Sequence, residues 1–336
     1  MCRFALIAAG VLTVVGTVCG SHLATAADQA LDVDETQRSR MILHFCEADG
    51  TPIRPLIDNV DLRNKYDRQG TPDVSADGLL VAYDAWSTTA GDWQDARIIV
   101  ANLDGSSARD ISDGVMPSFS PDGKRIVVSR VNRFTKVSGA KGQSIWIMDV
   151  DGGNATMVAD QGAWGARWSR DGKLLVYFGG VDDDGKKSEK NHLRIYDLET
   201  KKSRDVFTAE QSPFTELVHH FNWAKGTERL VVFGGQLKRG GSATGIVDVD
   251  NPTHLKLVKD DNEVLPTAHG LSVDFHPAGD HVLVTGIDGG RPVAQALKLT
   301  QDAKTIELKG LPPNVGVRDS IFTPDGQNFI GSFHSL

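Results

Sequence analysis

Six times along this chain an apolar strand-like run, a tight turn and a second apolar run follow one another. No other feature restricts the fold as much. The clearest copy is Met116–Arg130 (MPSFSPDGKRIVVSR), and variants begin at Thr71, Gly165, His220, Ser272 and Asp319. The turn glycines Gly78, Gly123, Gly172, Gly226, Gly279 and Gly326 recur at intervals of about 45–54 residues, and strand-only units on such a period signal a radial β array. Asp-Gly at the turn predicts a tight type I′ hairpin with positive φ at both central residues. A second hairpin follows inside each unit, as at Arg97–Leu103 turning on Asp104-Gly105 and Ser144–Val150 turning on Asp151-Gly152. Each unit therefore supplies four strands, over about 71–113, 115–160, 164–209, 218–259 and 271–308.

The two ends of the chain are complementary halves of one such unit. The last copy starts near Arg318, turns at Asp325-Gly326 and stops at Leu336 after two strands. Near the start, Met41–Cys46, Glu47-Ala-Asp-Gly50 and Pro52–Ile57 match the second hairpin of a unit with no first hairpin before it. Joining these halves covers sheet edges that would otherwise stay unpaired. The expected fold is all-β: a six-bladed β-propeller of four-stranded antiparallel blades over residues 40–336, closed by N-terminal strands that complete the C-terminal blade. No stretch carries a sustained helical period.

Residues 1–26 read as a signal peptide. Arg3 supplies the positive charge, Phe4–Val18 the apolar run, and Ala24-Thr25-Ala26 a small-residue cleavage site. The run is too short to favour a membrane span. Residues 27–39 form a polar leader. The expected destination is the periplasm or the exterior, as a monomer. Cleavage leaves Cys46 as the sole cysteine, which fits a small buried hydrophobe and allows no intrachain disulfide. A net charge of −8 argues against nucleic acid as a partner, because a phosphate backbone selects basic surfaces.

Phe-Ser-Pro-Asp-Gly-Lys-Arg-Ile (119–126), followed about twenty residues later by Ile-Trp-Ile-Met-Asp-Val-Asp-Gly-Gly (145–153), resembles the WD40-like repeats of TolB-type β-propellers. The resemblance spans roughly residues 40–336 and implies a propeller without the α/β domain that TolB carries ahead of its own. It also implies an envelope protein that works by binding other proteins. Such propellers serve as scaffolds, sensors and enzyme domains alike, so the resemblance specifies fold more than activity.

Strand order assigns the loops to two faces. The first-to-second and third-to-fourth turns share one face; the longer second-to-third and unit-to-unit connections share the other. Those longer stretches include Trp86–Ala96, Val131–Gln143, Ala209–Val218, Gly179–Asn191, Gly234–Ala243 and Asp260–Gly270. Irregular loops on a rigid frame are where binding concentrates. The expected site is this face, around the mouth of a central channel, with Trp86, Trp93, Trp164, Arg167, His220, Asp274, Arg318 and Asp319 as binding residues. Phe134 and Phe214 belong to the same loops. The competing reading is a water-filled channel lined by solvated polar groups and loop aromatics that merely pack the loops down.

No catalytic residue and no cofactor is expected of such a binding module, whose partner would be a protein, a peptide or a glycan. The alternative is a polysaccharide lyase or hydrolase that uses Asp73, Asp274 or Asp319 as acid and base. It would work with a histidine or a divalent metal ion held by His220 and His269. His220 stands three residues before Trp223, similar to the metal-site histidine of oligogalacturonate lyases. His219 and His220 point to opposite faces of a strand unless a bulge intervenes. Asp182-Asp-Asp-Gly185 fails the calcium-loop register, since Gly180 and Asn191 fall where carboxylates are needed.

Overall fold

The computed structural model describes residues 40–131, 142–179, 193–208, 210–224, 229–251, 255–257, 259–260, 263–264, 269–288, 291–298 and 305–335. In chain order the strands begin with β1 (Met41–Glu47) and β2 (Pro52–Pro55). Next come β3 (Arg68–Val74), β4 (Leu80–Trp86), β5 (Arg97–Asn102) and β6 (Arg109–Asp113). The second unit is β7 (Val115–Phe119), β8 (Arg125–Val131), β9 (Gln143–Asp149) and β10 (Thr156–Ala159). The third is β11 (Trp164–Trp168), β12 (Leu174–Phe178), β13 (Arg194–Asp197) and β14 (Lys202–Asp205). The fourth is β15 (Phe214–Trp223), β16 (Leu230–Leu237), β17 (Ser242–Asp248) and β18 (Lys256–Leu257). A small hairpin, β19 (Lys259–Asp260) and β20 (Glu263–Val264), precedes β21 (His269–Phe275), β22 (His281–Asp288), β23 (Arg291–Lys298) and β24 (Thr305–Glu307). The chain ends with β25 (Val315–Phe322) and β26 (Asn328–Ser335).

The second to fifth units each form a four-stranded antiparallel sheet in sequence order. The first unit, β3–β6, belongs to an eight-stranded sheet in which β1 also pairs antiparallel with β26, from Met41 opposite His334 to Glu47 opposite Asn328. β2 pairs with β1 and β25 with β26, so strands from the two ends lie side by side. A single parallel bridge, Met41 to Arg68, links this group to β3. One short helix, α1 (Val60–Lys65), was not signalled by any helical period; Asn59 caps it by accepting from the Leu62 N–H at 2.9 Å. Cys46 is fully buried, and burial pushes its thiol pKa up, as expected of a packed hydrophobe.

The Asp-Gly turns depart from type I′. Only the glycines take positive φ (+72° at Gly78, +67° at Gly123, +72° at Gly172 and at Gly326), and none of the preceding aspartates does. The loop is longer by two residues than a type I′ hairpin requires. The Ser75 N–H donates to Leu80 O, the Gly78 N–H to Ser75 O, and Ser75 Oγ lies 2.6 Å from Asp77 Oδ1. Ser120 with Asp122, Ser169 with Asp171 and Thr323 with Asp325 repeat the motif. The aspartate thus ties the turn through its side chain, and only the glycine needs the left-handed backbone. Gly226 lies outside the described residues.

Hydrogen bonds from the inner strands fasten neighbouring sheets together, in a lower row and, at some junctions, an upper one. In the lower row Asp73 Oδ2 accepts from the Phe119 N–H at 2.7 Å, and Ser118 Oγ from the Trp168 N–H at 3.2 Å. Trp223 Nε1 donates to Arg167 O, Asn222 Nδ2 to Val273 O, and the Phe322 N–H to Asp274 Oδ2 at 2.8 Å. In the upper row Asp84 accepts from the Met116 N–H and Ser129 Oγ from the Gly165 N–H, each at 2.8 Å. Ser332 Oγ donates to Gln69 O at 2.7 Å, fastening the last strand to the first unit. Between the sheets lie apolar layers; Phe119, Trp168, Trp223, Phe275 and Phe322, at one repeated position, are all at most 5% exposed.

Candidate functional site

Each innermost strand is interrupted near its start. Pairing slips between Gly70 and Asp73, Val115 and Ser118, Trp164 and Arg167, and Arg318 and Ile321. A bulge also lies between His269 and Ser272. At the slip Thr71, Met116, Gly165 and Asp319 all take positive φ, between +41° and +70°. Three of these four are not glycine, so the backbone strain is held by surrounding structure. In β15 the interruption is longer: residues 218–220 stand opposite Gly234 alone, between the Leu217–Gly235 and Phe221–Phe233 pairs. The irregularity therefore spans both His219 and His220. The side chain of His219 lies outside the described residues.

The bulges bring a charged cluster to the inner strands. His220 Nε2 lies 3.2 Å from Asp319 Oδ1. Burial lowers the His220 pKa; Asp319 opposes that shift, while Arg167 and Arg318 reinforce it. Its Nδ1 is buried without a hydrogen-bond partner among the described residues. Asp84 is 3% exposed, and burial pushes its carboxyl up to about 6. The Thr71 hydroxyl and the Met116 N–H hold it down in part, and Asp319 pushes it further up. Both carboxylates crowd Gly70: a Cβ there would lie 2.8 Å from Asp319 Oδ2 and 3.2 Å from Asp84 Oδ1. Arg167 is 3% exposed and donates from Nη1 to Pro117 O at 2.8 Å, and its charge favours ionised Asp84.

Asp84 belongs to this cluster although the repeat pattern does not single it out. Its signal is a lone acid inside the apolar run Leu80–Trp86. Asp73 and Asp274, proposed from the sequence as acid and base, instead accept backbone hydrogen bonds from the adjoining sheet. Asp274 is fully buried. Asp319 and His220 are brought together. The side chain of His269 lies outside the described residues, so the His220–His269 metal pair is an arrangement on which those residues carry no geometry.

The aromatic residues divide by exposure. Trp164 is 5% exposed and joins a large apolar cluster with Val115, Met116 and Phe214; Trp86 packs partly buried against it. Trp93, in a 3-10 turn (Trp93–Asp95) capped by Asp92, is 41% exposed and meets Trp164 edge-on at 5.7 Å. Trp164 and Phe214 are therefore loop packing, and Trp93 alone of the named tryptophans offers a broad open face. Beside it lies a cavity of about 240 Å³ lined by Gln94, Asp95, Arg97, Asp113 and Val131 among others. The Gly234–Ala243 stretch, expected as a loop, is the extended end of the β16–β17 hairpin. Phe134 lies outside the described residues.

No family model matches the sequence, and no curated protein matches it. Solved structures do share the fold. TolB from Acinetobacter baumannii superposes with a TM-score of 0.55 at 14% identity, covering 88% of this chain and 64% of that one. The chain thus spans less than two thirds of TolB's length. Hydrazine synthase from Kuenenia stuttgartiensis gives 0.50 at 14% identity, covering 77% of this chain and 72% of that one. The β-propeller domain of the trilobed protease from Pyrococcus furiosus gives 0.46 at 18% identity, covering 81% and 79%. The similarity to TolB supports a β-propeller fold and carries no activity. No helix among the described residues is long and apolar enough to cross a membrane.

Proposed function

We propose that this chain is an exported, TolB-like, six-bladed β-propeller, closed by its N-terminal strands, that acts as a non-catalytic binding module. Its partner is a protein, peptide or glycan held on the loop-rich face. The observation that carries this reading is Trp93: an indole 41% exposed, braced edge-on by buried Trp164, at the rim of a cavity with carboxylate, amide and guanidinium groups. A rigid aromatic with mixed polar neighbours is the usual anchor for a peptide side chain or a sugar ring. Export rests on residues 1–26, and monomeric state on the sequence reading alone.

A photo-cross-linking residue at position 93 tests the reading in cells. Cross-linking to a defined partner from position 93, and none from exposed Leu79 on the opposite turn face, is the expected result. Cross-linking from position 79 and not 93 would overturn it.

A second reading is favoured by the Asp84–Asp319–His220 group. A carboxyl with a pKa near 6 beside a second carboxylate and an imidazole could donate and accept protons in glycan cleavage. Turnover of polyuronides or neutral glycans, abolished in Asp319→Asn, would select it over the binding module.

A further inference from the structure

The hairpin between β21 and β22 keeps the backbone of the other inner turns and changes its chemistry. The His276 N–H donates to His281 O and the Gly279 N–H to His276 O, as Ser75, Leu80 and Gly78 do in the first unit. Where the turns at Ser75, Ser120, Ser169 and Thr323 carry serine or threonine and a turn-tying aspartate, this one reads His276-Pro-Ala-Gly-Asp280-His281. The two imidazoles stack at 4.1 Å with their planes 21° apart, and Phe322 meets both edge-on. Asp280 Oδ1 lies 2.7 Å from His281 Nδ1 and 3.6 Å from His276 Nδ1.

We propose that His276, Asp280 and His281 form a binding site for one divalent transition-metal ion of the zinc, nickel or copper class, on the face opposite the loops. Ligand type comes first: two imidazoles and one carboxylate suit these borderline ions and not calcium or magnesium, which want oxygen. Geometry agrees. Ligands about 2.0–2.2 Å from a common ion stand roughly 2.9–3.5 Å apart at octahedral to tetrahedral angles; the two Asp280 pairs, at 2.7 and 3.6 Å, are near that range, and the stacked imidazoles must turn toward each other to complete the set. The candidate donor atoms all lie within 4.8 Å of one another.

The outer support is also present. His276 Nε2 lies 3.1 Å from Gly326 O, a carbonyl that can only accept. The proton therefore sits on Nε2, and the Nδ1 lone pair accepts from the Ala278 N–H at 3.2 Å, a bond that metal binding would replace. A ligating histidine fixed through its other nitrogen to a backbone carbonyl is the usual outer shell of a metal site. Gly326 is needed for that approach, because a Cβ there would come within 2.6 Å of His276 Nε2. His281 binds through Nδ1 by moving its proton to Nε2, and Asp280 exchanges its hydrogen bond for the metal. The remaining coordination positions open to solvent, since Asp280 is 58% exposed.

Isothermal titration of the chelator-treated chain with ZnCl2 and NiCl2 tests the site. The expected result is one ion bound per chain, with affinity reduced at least ten-fold in both Asp280→Asn and His281→Ala. Affinity falls as pH is lowered through the imidazole range. Thermal melts in chelator check that the variants keep the fold, and the near-isosteric Asp280→Asn decides the matter if His281→Ala does not. No binding at about 100 µM ion, undiminished binding in Asp280→Asn, or loss in His220→Ala alone would each overturn the proposal.

Discussion

The carboxylate of Asp274 accepts a 2.8 Å hydrogen bond from the backbone N–H of Phe322, in the adjoining sheet. Asp73 does the same for Phe119 at 2.7 Å. Each aspartate fastens the sheet next to it. Asp274→Ala leaves the Phe322 N–H without its charged acceptor in a fully buried setting, at a cost of about 2–3 kcal/mol. Asp73, less buried, should cost about 1–2 kcal/mol. Urea unfolding of the two variants measures both.

Trp93 and Trp164 touch, yet their roles should separate on mutation. Trp164→Ala opens a cavity inside an apolar cluster and should destabilise by about 3–5 kcal/mol. Trp93→Ala removes an exposed ring and one edge-on contact, worth less than about 1.5 kcal/mol. A melting temperature near that of the unaltered chain, together with lost partner cross-linking, is the expected signature of Trp93→Ala. A large stability loss with binding retained would mark Trp93 as packing.

Asp84 makes stability depend on pH in a direction opposite to that of a paired surface carboxylate. Its folded pKa, about 6, lies above the ordinary carboxyl value of 3.8. The folded state therefore binds the proton more tightly, and its contribution is fully present below about pH 4. That contribution is lost as pH rises through 6. His220, with a lowered pKa, works the other way: its contribution is lost as pH falls below the unfolded imidazole value of about 6.5. Asp84→Asn should raise the unfolding free energy at pH 7 relative to that at pH 4 by about 2–3 kcal/mol compared with the unaltered chain. Unfolding curves at several pH values check this, and an unchanged profile would contradict it.

The repeated turns were legible because their chemistry is local. Ser-Pro-Asp-Gly at 120–123 and Thr-Pro-Asp-Gly at 323–326 carry the turn in four consecutive residues, whatever the rest of the chain does. The apolar positions Phe119, Trp168 and Phe322 were legible for the same reason. Asp84 was not, because its partners are the Thr71 hydroxyl across its own sheet and the Met116 N–H of the next. The repeat sets Asp319 three residues before its aromatic and Asp274 one before, at different levels of the inner strand, but carries no sign of what each bonds. A bulge between Arg318 and Ile321 sets Asp319 one position apart and turns it toward His220, while Asp274 stays in register and faces the Phe322 backbone. Bulges are a property of pairing between strands, and pairing is read from two segments at once. The His276–His281 group sits in a turn that departs from the Ser-x-Asp-Gly pattern, so the repeat carries no signal for it.

The proposed ring depends on β1 and β26 zipping together, and hydrogen exchange by mass spectrometry measures that pairing most directly. In the full chain, amides of 41–47 and 328–335 should be protected together and open at the same rate. In a chain ending at Gln327, residues 41–47 should exchange faster by orders of magnitude. Fast exchange of 41–47 in the full chain, or protection undiminished by the truncation, would contradict the account.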